Sequence, residues 1–192
     1  MTKFPVVLDL ETKHTFRDYA DAKKLGITVA AIYNYKDQQA QVFFEDQLPQ
    51  LYPILESSSY LIGYNIREFD LTVLQGYYPG RVDQFAVFDI LEDIKNKIGK
   101  RLALNDLVFA TLNKKKTGHG LLAIDYFKSK QWEKLKNYCL DDVLLTKELF
   151  DFGVKNGQVY HLTANGKETI KVDWKKYIEG QQDKDISLTL PF

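Results

Sequence analysis

Asp9, Glu11, Asp70 and Asp142 all sit inside apolar sequence, where an ionised carboxylate is out of place. Val6-Val7-Leu8 precedes Asp9, and Leu10 separates it from Glu11. Phe69 and Leu71 flank Asp70, and Asp142 lies between Tyr138-Cys139-Leu140-Asp141 and Val143-Leu144-Leu145. Burying such a group is costly unless a counter-charge or a metal ion compensates it. Acids that share a pocket also raise each other's pKa until a cation joins them. Oxygen-only donors select hard divalent ions, Mg²⁺ or Mn²⁺, over zinc. Metal-assisted hydrolysis is the chemistry within reach.

The elements that must position these acids are legible in outline. The apolar run from Phe4 to Leu10 predicts a strand buried on both faces. Asp9 and Glu11 then share one face, about 7 Å apart along the strand. The segment from Gln131 to Phe152, closed by Gly153, is the strongest predicted helix, and Leu135, Tyr138, Asp142, Leu145 and Leu149 fall on one side of it. Tyr138 lies one turn before Asp142 on that side, whereas Asp141 points about 100° away toward solvent. Asp70 opens the apolar side of a helix over 68–75. Asn65, with Glu68 three residues on, fits an N-cap as well as a functional role. Cys139 reads as a small core residue.

Around these segments the pattern predicts a hairpin of strands at 27–35 and 39–44, a helix over 47–56, short strands at 60–64 and 86–90, and helices over 91–98, 102–111 and 121–127. A second hairpin, 159–163 with 169–174 around Asn165-Gly166, ends the chain. Strands in a meander, then strands alternating with helices, give an α/β fold with a mixed sheet and helices on both faces. The expected organisation is one domain over 1–192, with a core of about 4–152 and a hairpin extension from 153. The 192 residues, 45% hydrophobic and 27% charged, suffice for a full core. No apolar run of membrane length occurs and the first residues do not read as a signal-type leader, so the expectation is a chain that is neither membrane-spanning nor secreted; the single cysteine suits a reducing, cytoplasmic setting.

Net charge is zero, with 26 basic and 26 acidic residues, so no global polyanion signature exists. The basic residues are uneven, however. Between Lys95 and Lys136 there are eleven Lys and Arg against three acids, an excess of eight. The loop-like centre of this stretch is Lys114-Lys115-Lys116-Thr117-Gly118-His119-Gly120.

Taken jointly, Asp9-x-Glu11 on a first strand, Asn65-x-x-x-Phe69-Asp70 on a middle helix and Tyr138-x-x-x-Asp142 on a late helix resemble the DEDDy branch of the DnaQ-like 3′-5′ exonucleases, on the ribonuclease H-like fold. A histidine at 137 would signal the sister branch, but that residue is Asn137. Many relatives place a glycine soon after the first acids, where this chain has Thr12-Lys13-His14.

The resemblance implies catalytic Asp9, Glu11, Asp70, Tyr138 and Asp142, the four acids holding two divalent ions, Mg²⁺ or Mn²⁺. Asp9 would bridge the ions, Glu11 and Asp142 would complete the first, and Asp70 would hold the second. Tyr138 would orient the attacking water, since a phenol with an ordinary pKa of about 10 is a poor base at neutral pH. The expected partner is a nucleic-acid 3′ end, DNA or RNA and single-stranded, with no membrane. Thr12, Asn65, Lys115, Lys116 and His119 are its candidate contacts, the lysines giving salt-sensitive affinity. The alternative is a lapsed nuclease fold serving as a nucleic-acid-binding or assembly module. Buried acids retained without a metal to hold argue against it.

Overall fold

A computed structural model describes residues 2–115 and 121–178 of the chain. Lys116 and His119 lie outside the described residues. Strand β1 (Val6–Thr12) pairs antiparallel with β2 (Ile27–Asn34), which pairs antiparallel with β3 (Gln39–Phe44). Helix α1 (Leu48–Glu56) leads to β4 (Leu61–Gly63), parallel to β1, and the short α2 (Asp70–Leu74) leads to β5 (Val87–Asp89), parallel to β4. The resulting five-stranded sheet has the order β3-β2-β1-β4-β5. Helices α3 (Ile90–Ile98), α4 (Leu104–Leu112), α5 (Leu121–Lys128) and α6 (Trp132–Asn156) follow, then a separate hairpin of β6 (Gln158–Thr163) and β7 (Gly166–Lys171). This is the mixed sheet with helices on both faces and a terminal hairpin that the sequence predicts.

Side-chain alternation along β1 divides the interior into two apolar clusters. Val6, Leu8 and Leu10 face Leu48, Leu51 and Leu55 of α1 and Leu71, Val73 and Leu74 of α2. Val7 points the other way, into a cluster with Leu135, Cys139, Val143 and Phe150 of α6. With both faces covered, β1 has no polar side, which is why its sequence is an almost unbroken apolar run. Asp9 and Glu11 continue the Val7 row and therefore face α6.

Two boundaries depart from expectation. Gly153 does not close α6, which continues to Asn156 and ends at Gly157, a residue at φ +63° whose N–H bonds to the Gly153 carbonyl. Gly153 is small because the Trp174 indole lies on it: a Cβ there would overlap the ring. Trp174 stacks on Phe150 and donates from Nε1 to Asp93 Oδ2 at 2.8 Å. Val159, Ile170, Val172 and Trp174 thus join the α6 cluster, so the segment after Gly153 packs into the core it was expected to extend. The second departure is α2, which begins at Asp70 rather than 68 and carries no side-chain cap.

Gly153→Ala sets two effects against each other. Helix propensity favours alanine by about 1 kcal/mol, while overpacking against a buried indole costs about 1–3 kcal/mol. The expected outcome is a melting midpoint lowered by about 2–8 °C, measured by circular dichroism. A raised midpoint would show that Trp174 does not seat on this glycine.

Candidate metal centre

β1 and β2 stay in register from Val6 opposite Asn34 to Glu11 opposite Val29, then slip, so that Thr12 faces Ile27. The slip is a bulge that turns the strand end, a common device beside functional sites. Thr28, the residue skipped, donates its hydroxyl to the Glu11 carbonyl at 3.0 Å. Asp9 lies opposite Ala31, whose small side chain is fully buried beneath α6. Helix α6 then brings Asp142, only 2% exposed, over the same strand. Carboxylate oxygens of Asp9, Glu11 and Asp142 all lie within 4.8 Å of one another. Three carboxylates so close repel one another strongly unless a cation sits among them. An all-oxygen trio at this spacing fits a hard divalent ion, and nothing in it favours a soft one.

Cys139 is core, as expected, but it also forms the floor of this group. Its Sγ lies 3.6 Å from the Asp9 carbonyl oxygen and 3.8 Å from Asp9 Oδ2, within reach of a weak S–H donation. Burial, followed by the charges of Asp9, Glu11 and Asp142, pushes the thiol pKa well up and keeps it protonated.

Asp70 reaches the site differently. The N–H groups of alternate residues along β1 point to the same neighbour, and Val6 N–H bonds to the Tyr60 carbonyl on the β4 side. β4 ends at Gly63, so at Leu10 no strand remains on that side. The Asp70 carboxylate fills the gap, accepting the Leu10 N–H at 3.0 Å. Asp70 is 3% exposed and stands beside the close trio rather than in it. Burial raises its pKa to about 7, against the hydrogen bonds from Leu10 and its own N–H; the charges of Asp89 and Asp142 raise it further.

Asn65 does not cap α2. It adopts φ +66° and turns the chain out of β4, while its Oδ1 accepts from Arg101 Nη2 at 2.7 Å. Tyr138 is buried at 4% exposure with its ring edge-on to Tyr126, centroids 6.4 Å apart. The Thr12 hydroxyl donates to the His14 carbonyl at 2.8 Å, shaping the turn after the acids. Lys13, which follows the acids of β1, pairs with Glu45, 2.6 Å away. Asp9, Glu11 and Asp142 open onto a cleft walled by Phe16, Phe69, Leu121 and Ile124. His14 also lines this cleft, while His161, for which the sequence suggests no partner, packs its Nε2 3.5 Å from Glu168. In the basic stretch, Lys114 pairs with Glu148 and Lys115 lies 5.0 Å over the Phe109 ring.

The residue that sequence reasoning missed is Asp89, an acid at the end of β5, 5% exposed. It accepts from four backbone N–H groups: Asn65 at 2.9 Å, Arg67 at 3.1 Å, Leu91 at 3.0 Å and Glu92 at 3.3 Å. An acid before Ile-Leu-Glu, with Glu92 three residues on, was the available N-cap signal.

No protein-family model matches the chain, and no curated protein is similar to it in sequence. Its fold is similar to that of the family B DNA polymerase from the hyperthermophilic archaeon Pyrobaculum calidifontis, with a TM-score of 0.59 and 17% identity. The match covers 78% of this chain and 24% of the polymerase, so the chain spans about a quarter of that protein's length. The architecture is ribonuclease H-like. Among the described residues, no helix is long and apolar enough to cross a membrane.

Two outcomes follow for the isolated protein. Mn²⁺ should raise the melting midpoint by relieving carboxylate repulsion, and Asp142→Asn should remove that rise; an undiminished rise would place the ion elsewhere. Asp70 holds a proton in the folded state between its ordinary pKa of 3.8 and about 7. Its contribution therefore favours folding below about pH 4 and is lost as pH climbs through about 7. Metal-free Asp70→Asn should melt above wild type at about pH 8, the difference closing toward about pH 4. A difference that grows on acidification would contradict the assignment.

Proposed function

We propose that the chain is a metal-dependent 3′-5′ exonuclease of the DEDDy type, hydrolysing phosphodiester bonds at nucleic-acid 3′ ends and releasing nucleoside monophosphates. The observation that carries this reading is the close trio of Asp9, Glu11 and Asp142. It stands at the carboxyl end of a central strand, where open α/β sheets bind ligands. The likeness of fold to a DNA polymerase supports a nucleic-acid substrate.

In this reading Asp9, Glu11 and Asp142, with Asp70 beside them, would hold two divalent ions, Mg²⁺ or Mn²⁺. The ions, when bound, supply an activated water and stabilise charge on the leaving 3′-oxygen. Asp70 is already oriented by the Leu10 N–H. Cys139 and the bulge at Glu11–Thr12 fix the strand end. Tyr138 orients the attacking water from one turn before Asp142. Asn65, Thr12, Lys115, Lys116 and His119 are the proposed substrate contacts, with single-stranded DNA or RNA as substrate. The chain is read as one domain, placed in the cytoplasm, where its lone thiol, Cys139, stays reduced.

The test is incubation with Mn²⁺ and 5′-labelled single-stranded DNA or RNA. The expected result is a ladder shortening from the 3′ end, abolished by Asp9→Ala and slowed about 10- to 100-fold by Tyr138→Phe. Circular single-stranded DNA should survive intact. Cleavage of the circle would indicate an endonuclease, and no cleavage of any substrate would indicate a binding module.

A further inference from the structure

Asp89 lies outside the acid motif, yet four backbone N–H groups converge on its carboxylate. Its Oδ1 accepts from Asn65, Leu91 and Glu92, and its Oδ2 accepts from Arg67. Two of these donors, Leu91 and Glu92, are the second and third residues of α3, ordinary N-cap partners. The other two belong to the turn that carries the chain from β4 toward Asp70. A helix cap needs only the first pair, so the second pair has to be explained by the turn.

That turn has little slack. Ile66 folds back over Gly63, where a Cβ would come within 2.7 Å of Ile66 Cβ and 3.0 Å of the Leu8 carbonyl. Asn65 carries a left-handed φ of +66°. Phe69 N–H then bonds to the Asn65 carbonyl at 3.1 Å and Leu71 N–H to the Ile66 carbonyl at 2.9 Å, so the turn passes rigidly into α2. Asp70 is the first residue of α2 and must meet Leu10 N–H at 3.0 Å. Any shift of the turn moves Asp70 directly.

We propose that Asp89 is a positioning residue for the metal centre: its carboxylate locks the turn at Asn65 and Arg67 to the start of α3, and so holds Asp70 against β1. This rests on the metal-site reading above. An ionised carboxylate is the side chain suited to the task, because it offers acceptors only and can satisfy four N–H groups at once. Serine at this position can still cap α3 but is too short to serve the turn as well.

The test is Asp89→Ser, examined first without metal. Amide hydrogen exchange at Asn65 and Arg67 should quicken at least tenfold, while Leu91 and Glu92 stay near wild type. With Mn²⁺, the concentration giving half the thermal stabilisation should rise about 10- to 100-fold, the usual effect of losing a group that orients metal ligands. On single-stranded DNA, kcat should fall while KM holds. Asp89→Asn keeps an acceptor oxygen for α3 and loses the second carboxylate oxygen, so it should fall between serine and wild type. That variant carries the test if serine fails to fold. Unchanged exchange at Asn65 and Arg67, or an unchanged Mn²⁺ midpoint, overturns the role of Asp89 alone. Absence of any Mn²⁺ response in the wild type overturns the metal reading and this inference with it.

Discussion

Two carboxylates on alternate residues of a doubly buried strand must share one face of the sheet, and that face has to be covered by something. Here the cover is α6, which brings a third carboxylate, Asp142, to the same spot. Mutual repulsion of these groups is the constraint around which the neighbouring structure is arranged. Small Ala31 opposite Asp9 lets the helix approach, Cys139 seals the floor, and the bulge at Glu11–Thr12 aims the strand end. Apolar packing on both faces holds the acids together against their own charge.

The arrangement sacrifices stability for poise. Burial, with the charges of Asp89 and Asp142, raises the pKa of Asp70 well above the ordinary carboxylate range, so its ionised form is costly in the folded chain. Asp70 nonetheless replaces a missing strand, because Leu10 N–H has no other ladder partner once β4 has ended. A strand cut to three residues, a left-handed asparagine and a carboxylate acting as a surrogate backbone acceptor form one device. Local rules broken in company at one place are the signature expected of a functional site rather than of a scaffold.

How much of this could be read from the residues depends on range. Periodicity of two along β1 puts Asp9 and Glu11 on one face, and periodicity of 3.6 along α6 puts Asp142 on the apolar stripe. Those are local properties with strong signals. That these two surfaces meet was implied by the motif resemblance and not by periodicity. The left-handed Asn65 was not legible, since its N–H partner, Asp89, comes from the neighbouring strand 24 residues further along the chain, and an asparagine before a helix resembles a cap. Gly153 misled for a similar reason. A glycine late in a helix reads as a stop signal, whereas its actual cause is Trp174, reached only after the hairpin returns. Asp89 itself carried a readable cap signal, but it was absorbed into the short strand it ends. Lys13 shows the converse, a residue whose pairing with Glu45 only the fold could reveal.

Anomalous diffraction from crystals grown with Mn²⁺ tests most directly whether the trio is a cation site. The account predicts a peak about 2.0–2.2 Å from oxygens of Asp9, Glu11 and Asp142 together. No peak, or an ion held by other side chains while these oxygens keep only hydrogen-bonded neighbours, would contradict it.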